Sequence, residues 1–349
     1  LQFVWTYEAS RPIVTSPAIA GDHVYLTTED GRTVALDRET GQQVWEYHTG
    51  SPSSSTPAIV GDLVIFGVRK GLVIGLDRQD GSFLWRTDLR GSILGSPIVA
   101  NGSVYVGTTN YELYALDVAT GDVRWTFDAG GWIVSSVAYS DNTVSVTSQN
   151  GLLHIVDANT GLKRFVYDAG WAITGGPAIH GDLVYFGTHS GTVWAIDRWA
   201  VTYPFERAIW YWELNLFAWH VLPDLPLQKG TVWFKRIGER VFTTPAVAHG
   251  TVYAASGDGD VVGLNAVTGE ERWTTSLDVP ITAAPSVAGD TLLIGTEDGR
   301  VFGLSAHSGE VTWDFQVGNG ALINSSLVAG DVMYVVSGDG KLYAFAGAE

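Results

Sequence analysis

The stretch "GLNAVTGEERW" (263–273) holds a small residue, a polar turn and a tryptophan. The chain states nearly the same thing in "ALDRETGQQVW" (35–45), "GLDRQDGSFLW" (75–85) and "ALDVATGDVRW" (115–125). Its tryptophan acts as a ruler. Trp5, Trp45, Trp85 and Trp125 stand forty residues apart, and Phe165 falls on the next mark. After an interruption, Trp233, Trp273 and Trp313 resume the spacing of forty. A fixed period of this length marks a repeat architecture.

Within 13–45 the unit reads as four short strands. "IVTSPAIA" is apolar, "GD" turns, "HVYLTT" is a second strand, and Asp30-Gly31 suits a tight hairpin that needs positive φ. "RTVALD" and "QQVWEY", joined by "RETG", complete the unit. Four antiparallel strands in about forty residues make one propeller blade. The last unit stops after its third strand, whereas "LQFVWTY" at the start is a fourth strand without predecessors. The N-terminal strand is therefore expected to complete the last blade, closing an all-β, eight-bladed ring and removing two open edges. The expected organisation is one propeller domain over 1–349, with an aromatic-rich insert at 198–230 in blade five.

The motif has a physical reading. The aspartate of "LD" (Asp37, Asp77, Asp117, Asp157, Asp197) can bond the backbone of the following turn. The glycine of "TG" (Gly41, Gly121, Gly161, Gly269) gives the turn its φ freedom. The aromatic residues on the marks, Trp5, Trp45, Trp85, Trp125, Phe165, Trp233, Trp273 and Trp313, are expected to dock on the neighbouring blade. There a small residue such as Ala35, Gly75 or Gly263 would make room. Ile155 and Phe165 depart from this pattern and predict the least regular joint.

Small-x-Asp-x-x-Thr-Gly-x-x-x-Trp, repeated around the ring, resembles the tryptophan-docking motif of the PQQ-like (pyrroloquinoline-quinone-type, BamB-like) propeller family. The resemblance covers nearly everything outside 198–230. It implies the fold, and it implies three kinds of function: quinoprotein dehydrogenases, non-enzymatic scaffolds of outer-membrane assembly, and sensor domains. The family's enzymes hold PQQ and calcium at one mouth of the central funnel, with carboxylates, an asparagine, a basic residue and an aspartate base. Here the loops entering the innermost strands offer Glu239 and Asp278 as acids, Asn319 and Asn324 as amides, and Arg11, Arg90 and Arg240 as bases. Calcium asks for six to eight oxygens, so this set is poor. The expectation is a non-enzyme without a cofactor. PQQ with calcium belongs to the alternative reading, a dehydrogenase or small-ligand sensor.

Composition narrows the field further. A net charge of −17 repels phosphate backbones and argues against nucleic acid. The absence of cysteine removes disulfides, thiolate metal sites and a thiol nucleophile. No G-x-S-x-G elbow occurs in a strand-to-helix setting, and the eight histidines show no metal-ligand spacing. "SGDGD" (256–260) and "TEDGR" (296–300) sit where hairpin turns belong. The residues before the recurring proline position, Ser16, Thr56, Ser96, Ser136, Gly176, Thr244, Ala284 and Ser325, are expected to face the channel and bond its water. A small polar-ligand site is the alternative. The chain begins at Leu1 rather than Met, which suggests a segment removed ahead of it.

From Phe165 to Trp233 the spacing is 68, or 28 beyond forty. The excess follows Asp197 and holds Trp199, Trp210, Trp212 and Trp219. The eighteen residues between Pro204 and Pro223 read as a helix, with Glu206, Glu213 and His220 as a polar stripe. The same residues are strand formers, and the pattern also admits a β-extension. Blade topology places the insert on the face opposite the funnel mouth, whereas Trp132 and Trp171 lie on the mouth face. An apolar surface this large implies a partner. The expected partner-binding residues are Trp199, Phe205, Trp210, Tyr211, Trp212, Leu216, Phe217 and Trp219. Packing on its own propeller and shallow insertion at a membrane interface are the other readings. The expected setting is the periplasm or cell surface, with possible membrane proximity.

Overall fold

A computed structural model describes residues 1–201, 205–223, 226–318, 322 and 325–347. Eight four-stranded antiparallel sheets form the blades of a ring. The first complete blade comprises Ala18–Ala20, His23–Thr27, Arg32–Asp37 and Gln43–His48. Its innermost strand has three residues, fewer than the apolar run 13–20 suggests. The segment ahead of it turns toward the axis, where Ile13 is buried and Thr15 bonds Thr27.

The ring closes through the N-terminal strand. Gln2–Glu8 pairs with Lys341–Ala346, completing the sheet that contains Leu327–Ala329 and Val332–Ser337. The register slips between Phe3 and Trp5. The same slip occurs opposite every other fourth strand, for example between Ala35 and Leu36. The bulge turns each motif tryptophan toward the next blade.

At each joint two neighbours accommodate the aromatic ring. Ala35 lies directly across from Trp45, and Gly75 across from Trp85. A Cβ on Gly75 would stand 2.4 Å from the Trp85 ring. The small residue thus makes room for the tryptophan of its own blade, which corrects the expectation of a cross-blade partner. The next blade contributes the turn glycine and a carbonyl. A Cβ on Gly41 (φ 70°) would meet the Trp5 ring at 2.5 Å, and Trp5 Nε1 donates to the Arg38 carbonyl at 3.0 Å. Trp45, Trp125, Trp233 and Trp273 donate in the same way to Arg78, Ala158, Ala266 and Ala306. Four of these carbonyls also accept from a second-strand tyrosine: Tyr105, Tyr185 and Tyr253 at 3.0–3.1 Å, and Tyr25 at 3.5 Å. The turn itself is held by the motif acid, as Asp37 Oδ1 accepts from the amides of Glu39 and Thr40.

Ile155 and Phe165 do not disturb the strands. They pair opposite one another with the usual bulge. A smaller ring beside a larger aliphatic side chain conserves volume, which packed interiors tolerate best. What changes is the chemistry of the joint, because neither Phe165 nor Ser145, which stands at the tyrosine position, donates to the following turn. Arg198 reaches back instead. Its buried guanidinium pairs with Asp141 and approaches Thr143 Oγ1 at 3.5 Å.

A buried histidine lies in the same sheet. His154 packs edge-on to Phe127, with Nε2 3.3 Å from Ser148 Oγ. Burial pushes its pKa down from 6.5 to about 4. Between these values the unfolded chain binds the proton and the folded one does not. Stability is therefore fully present above pH 6.5 and is lost as pH falls toward 4, by about 3 kcal/mol. We expect His154→Gln to flatten this limb in urea unfolding measured from pH 7 to 4. An unchanged difference between the two proteins across that range counts against the assignment.

Candidate functional site

Two regions could carry function: the channel at the axis and the insert at the rim. The channel widens into a cavity of about 390 Å³, and all eight positions from Ser16 to Ser325 line it. Their hydroxyls are engaged chiefly between blades. The Thr56 amide donates to Ser96 Oγ at 2.9 Å, the Ser96 amide to Ser136 Oγ at 3.0 Å, and the Gly176 amide to Thr244 Oγ1 at 2.8 Å. Ser16 Oγ donates to the Ser325 carbonyl at 3.3 Å. These bonds tie neighbouring innermost strands together. The small side chains are what eight converging strands leave room for.

The donor set does not fit a quinone with calcium. Hydroxyl, glycine and aliphatic groups and the Phe242 ring line the cavity, with no carboxylate and no cation among its described residues. Calcium needs several carboxylate or carbonyl oxygens, and a polyanionic quinone needs positive charge. The Arg240 guanidinium lies over the Phe242 ring at 6.0 Å, and the Glu239 amide faces Asp258. Asn319 and Asn324 lie outside the described residues. No group of three or more histidines and acids is placed to hold a metal among the described residues.

The insert joins Thr192–Asp197 to Thr231–Arg236, the third and fourth strands of one sheet. Counted from the closing blade that contains the N-terminal strand, this is the sixth blade rather than the fifth. Counted from the first complete blade, it is the fifth. The insert's base keeps the ordinary turn. Asp197 N–H donates to the Gly230 carbonyl at 2.8 Å, as Asp37 N–H does to Gln42. Gly230 (φ 85°) takes the place of the turn glycine under the Phe165 ring.

Trp199 is fixed at this base. Its Nε1 donates to Asp182 Oδ1 at 2.7 Å, and the Arg198 guanidinium stacks 4.6 Å from its ring centroid. It stands apart from the helix that carries the other candidate aromatics.

That helix spans Glu206–Ala218, shorter than the eighteen residues between the prolines. Pro204 and the Glu206 side chain lie outside the described residues. The helix ends at a left-handed His220 (φ 59°): His220 N–H bonds the Phe217 carbonyl and Val221 N–H the Leu216 carbonyl. This pair of bonds is a Schellman C-cap. His220 therefore caps the helix and does not continue a polar stripe. Glu213 is half-buried.

The insert leaves from the face opposite the inter-blade loops, where Arg198 N–H bonds the Asp182 carbonyl. It does not project from that face. It runs back along the outer rim toward Asp168, which ends the outer strand Lys163–Asp168 of the preceding blade. Asp168 N–H donates to Gln228 Oε1 at 3.1 Å, and the Tyr211 hydroxyl faces Asp168 Oδ2 at 3.5 Å. Trp210 is half-buried, with Nε1 donating to the Pro226 carbonyl at 2.9 Å. Trp210, Tyr211 and Leu214 wall a mainly apolar cleft of about 290 Å³ against Tyr167, Trp194 and Phe234. One side of the helix thus sits on the propeller. Phe205, Trp212 and Trp219 remain exposed, while Leu216 and Phe217 are half-buried. Trp132 and Trp171 are exposed in the inter-blade loops, and Trp171 follows the Asp168–Gly170 edge of the cleft.

Sequence reasoning missed the second-strand tyrosines that share the joint carbonyls. Their signal was present, since Tyr25, Tyr105 and Tyr185 recur at eighty residues, in alternate blades.

Closed ring, bulged fourth strands and tryptophan joints define a PQQ-like eight-bladed propeller. The sequence matches the family described as outer membrane protein assembly factor BamB over residues 2–92, 69–200 and 219–349, and the chain belongs to that family. In structure it is similar to BamB from Moraxella catarrhalis, with TM-score 0.78 and 21% identity over 98% of this chain and 96% of that one. It is also similar to the computationally designed Ika8 protein, with TM-score 0.81 and 17% identity over 99% of each chain. A third neighbour is quinohemoprotein alcohol dehydrogenase from Comamonas testosteroni, with TM-score 0.76 and 16% identity over 99% of this chain and 76% of that one. At these identities the likeness concerns the fold alone. No curated protein matches the sequence. No helix among the described residues is long and apolar enough to cross a membrane.

Proposed function

We propose that the protein is a non-enzymatic interaction scaffold, a propeller subunit of a larger extracytoplasmic or membrane-associated assembly, and that the rim insert is its docking element. The carrying observation is a helix seated on the rim by one side while large aromatic residues on its other side face solvent. Water-exposed tryptophans clustered on one element are costly unless something covers them. Family membership supports the scaffold reading, as does a channel whose lining suits neither calcium nor a polyanionic quinone.

Two experiments test this. Replacing residues 203–228 with a short turn removes the docking element without touching a blade strand. We expect a folded protein that no longer co-purifies with its native partners. Retention of every partner by the folded variant rejects the insert as the interface. For the dehydrogenase alternative, the protein is supplied with PQQ and Ca²⁺ and assayed for dye-linked alcohol oxidation. We expect none, and saturable turnover overturns the scaffold reading.

A further inference from the structure

The outward side of the helix has a definite period. Ile209, Trp212, Leu216 and Trp219 follow at spacings of three, four and three, and Phe205 stands four residues before Ile209 as the left-handed residue that precedes the helix. On a helix that sequence of steps forms one straight stripe, the a/d seam of a helix–helix interface. Four of the five are strongly exposed: Phe205 at 81%, Ile209 at 57%, Trp212 at 65% and Trp219 at 67%. The propeller-facing side is a separate surface formed by Trp210, Tyr211 and Leu214. The helix therefore carries two apolar surfaces, and its own propeller covers only one.

A seam of this period fits a second helix, whose side chains drop between successive turns at a shallow crossing angle. An extended peptide has a period of two and would meet the stripe out of step. Charge selects among helices. The chain carries −17, and the last turn of the seam helix has no basic residue to offset its negative end. Two copies meeting here would bring like charge together. We infer that the seam receives an amphipathic helix of a partner protein, apolar on one stripe and flanked by lysine or arginine. This rests on the docking reading above and specifies its occupant.

Three synthetic peptides of equal length serve as probes in isothermal titration: a leucine-seam heptad helix with flanking lysines, the same seam with flanking glutamates, and a scramble of the lysine peptide that destroys the stripe. The cationic helix is expected to bind at least about tenfold more tightly than either other peptide. The Ile209→Ser/Trp212→Ser variant, with its fold checked by circular dichroism, should weaken that binding at least about tenfold. Equal binding of the scramble, equal binding of the anionic helix, or no binding of either helix overturns the inference. So does a dimer in sedimentation that the same variant dissociates, because the occupant is then a second copy. Cosedimentation with phosphatidylcholine vesicles that the same variant abolishes also overturns it, in favour of a lipid surface. The insert-replacement experiment stays independent. A variant that loses its native partners while the intact protein ignores both helices removes the helix and keeps the docking reading. Retention of all partners removes both.

Discussion

A chain lacking residues 1–8 is expected to lose its cooperative melting transition and elute as aggregate. Gln2–Glu8 supplies the outer strand of the closing blade, paired with Lys341–Ala346 along its length apart from the bulge between Phe3 and Trp5. It also supplies Trp5, which is buried between two blades. Removing one buried tryptophan costs about 3–5 kcal/mol, a large part of the 5–15 kcal/mol typical of a whole domain. Removing the strand adds an open edge along Lys341–Ala346, a template for pairing with other chains. The first complete blade loses its anchor as well, because the Trp5 bond to the Arg38 carbonyl disappears while Arg38 Nη2 still has to hold Ala329 O from across the gap. The control is a circular permutant in which Ala346 is joined to Gln2 through a copy of the turn 38–42. Every other third and fourth strand but the pair flanking the insert is joined by such a turn, so the permutant should melt cooperatively near the parent. Differential scanning calorimetry and size-exclusion chromatography read both outcomes. A cooperative transition near the parent's in the truncated chain rejects the closure argument.

The ring was legible because its information is local and periodic. Trp, Gly and Asp recur at fixed steps, and forty residues suffice to show one blade. The contacts between blades were harder to read. Ala35 was expected against a neighbouring blade because sequence spacing does not say which sheet a side chain faces; the bulge at Ala35/Leu36 decides it. The innermost strands were overestimated for a related reason. Runs such as 13–20 are apolar enough for a full strand, yet convergence at the axis leaves only three residues able to pair. The insert's helix was visible in its prolines, but not its placement. Nothing periodic links Tyr211 to Asp168, so the run back along the rim could not be read from spacing.

The insert's position follows from the joint it interrupts. At five other joints a tryptophan indole holds the carbonyl that follows the motif aspartate or its Asn265 or Ser305 counterpart, fixing the turn against the preceding blade. After Asp197 that role is absent, because Phe165 and Ser145 offer no donor there. The Arg198 side chain and the Trp199 indole secure the base instead. A turn relieved of its indole bond can carry a helix without loosening the ring, although the turn after Asp117, where Trp85 Nε1 has no partner, keeps its ordinary length. Irregularity at Phe165 thus permits the excursion after Asp197 and does not by itself select it.

Trp45→Ala should destabilise the protein by about 3–5 kcal/mol. The ring is buried among Tyr25, Ala35 and the next blade, stands in ring contact with Tyr25, and donates to the Arg78 carbonyl. A cycle built on the Ile155–Phe165 pair tests the packing argument more sharply. Trp45→Phe alone leaves space and an Arg78 carbonyl held only by the longer Tyr25 hydroxyl bond at 3.5 Å. Ala35→Ile alone forces three extra carbons against the indole, an overpacking cost of about 1–3 kcal/mol. The double variant reproduces the combination that the chain itself uses across Ile155 and Phe165, so the two changes should compensate. Its loss should fall short of the sum of the singles by at least about 1 kcal/mol, within the range measured for residues in contact. Urea unfolding of the four proteins gives the coupling directly. Simple additivity would mean that the small residue is not matched to the ring across from it. The regular register at Ile155 and Phe165 would then need another cause.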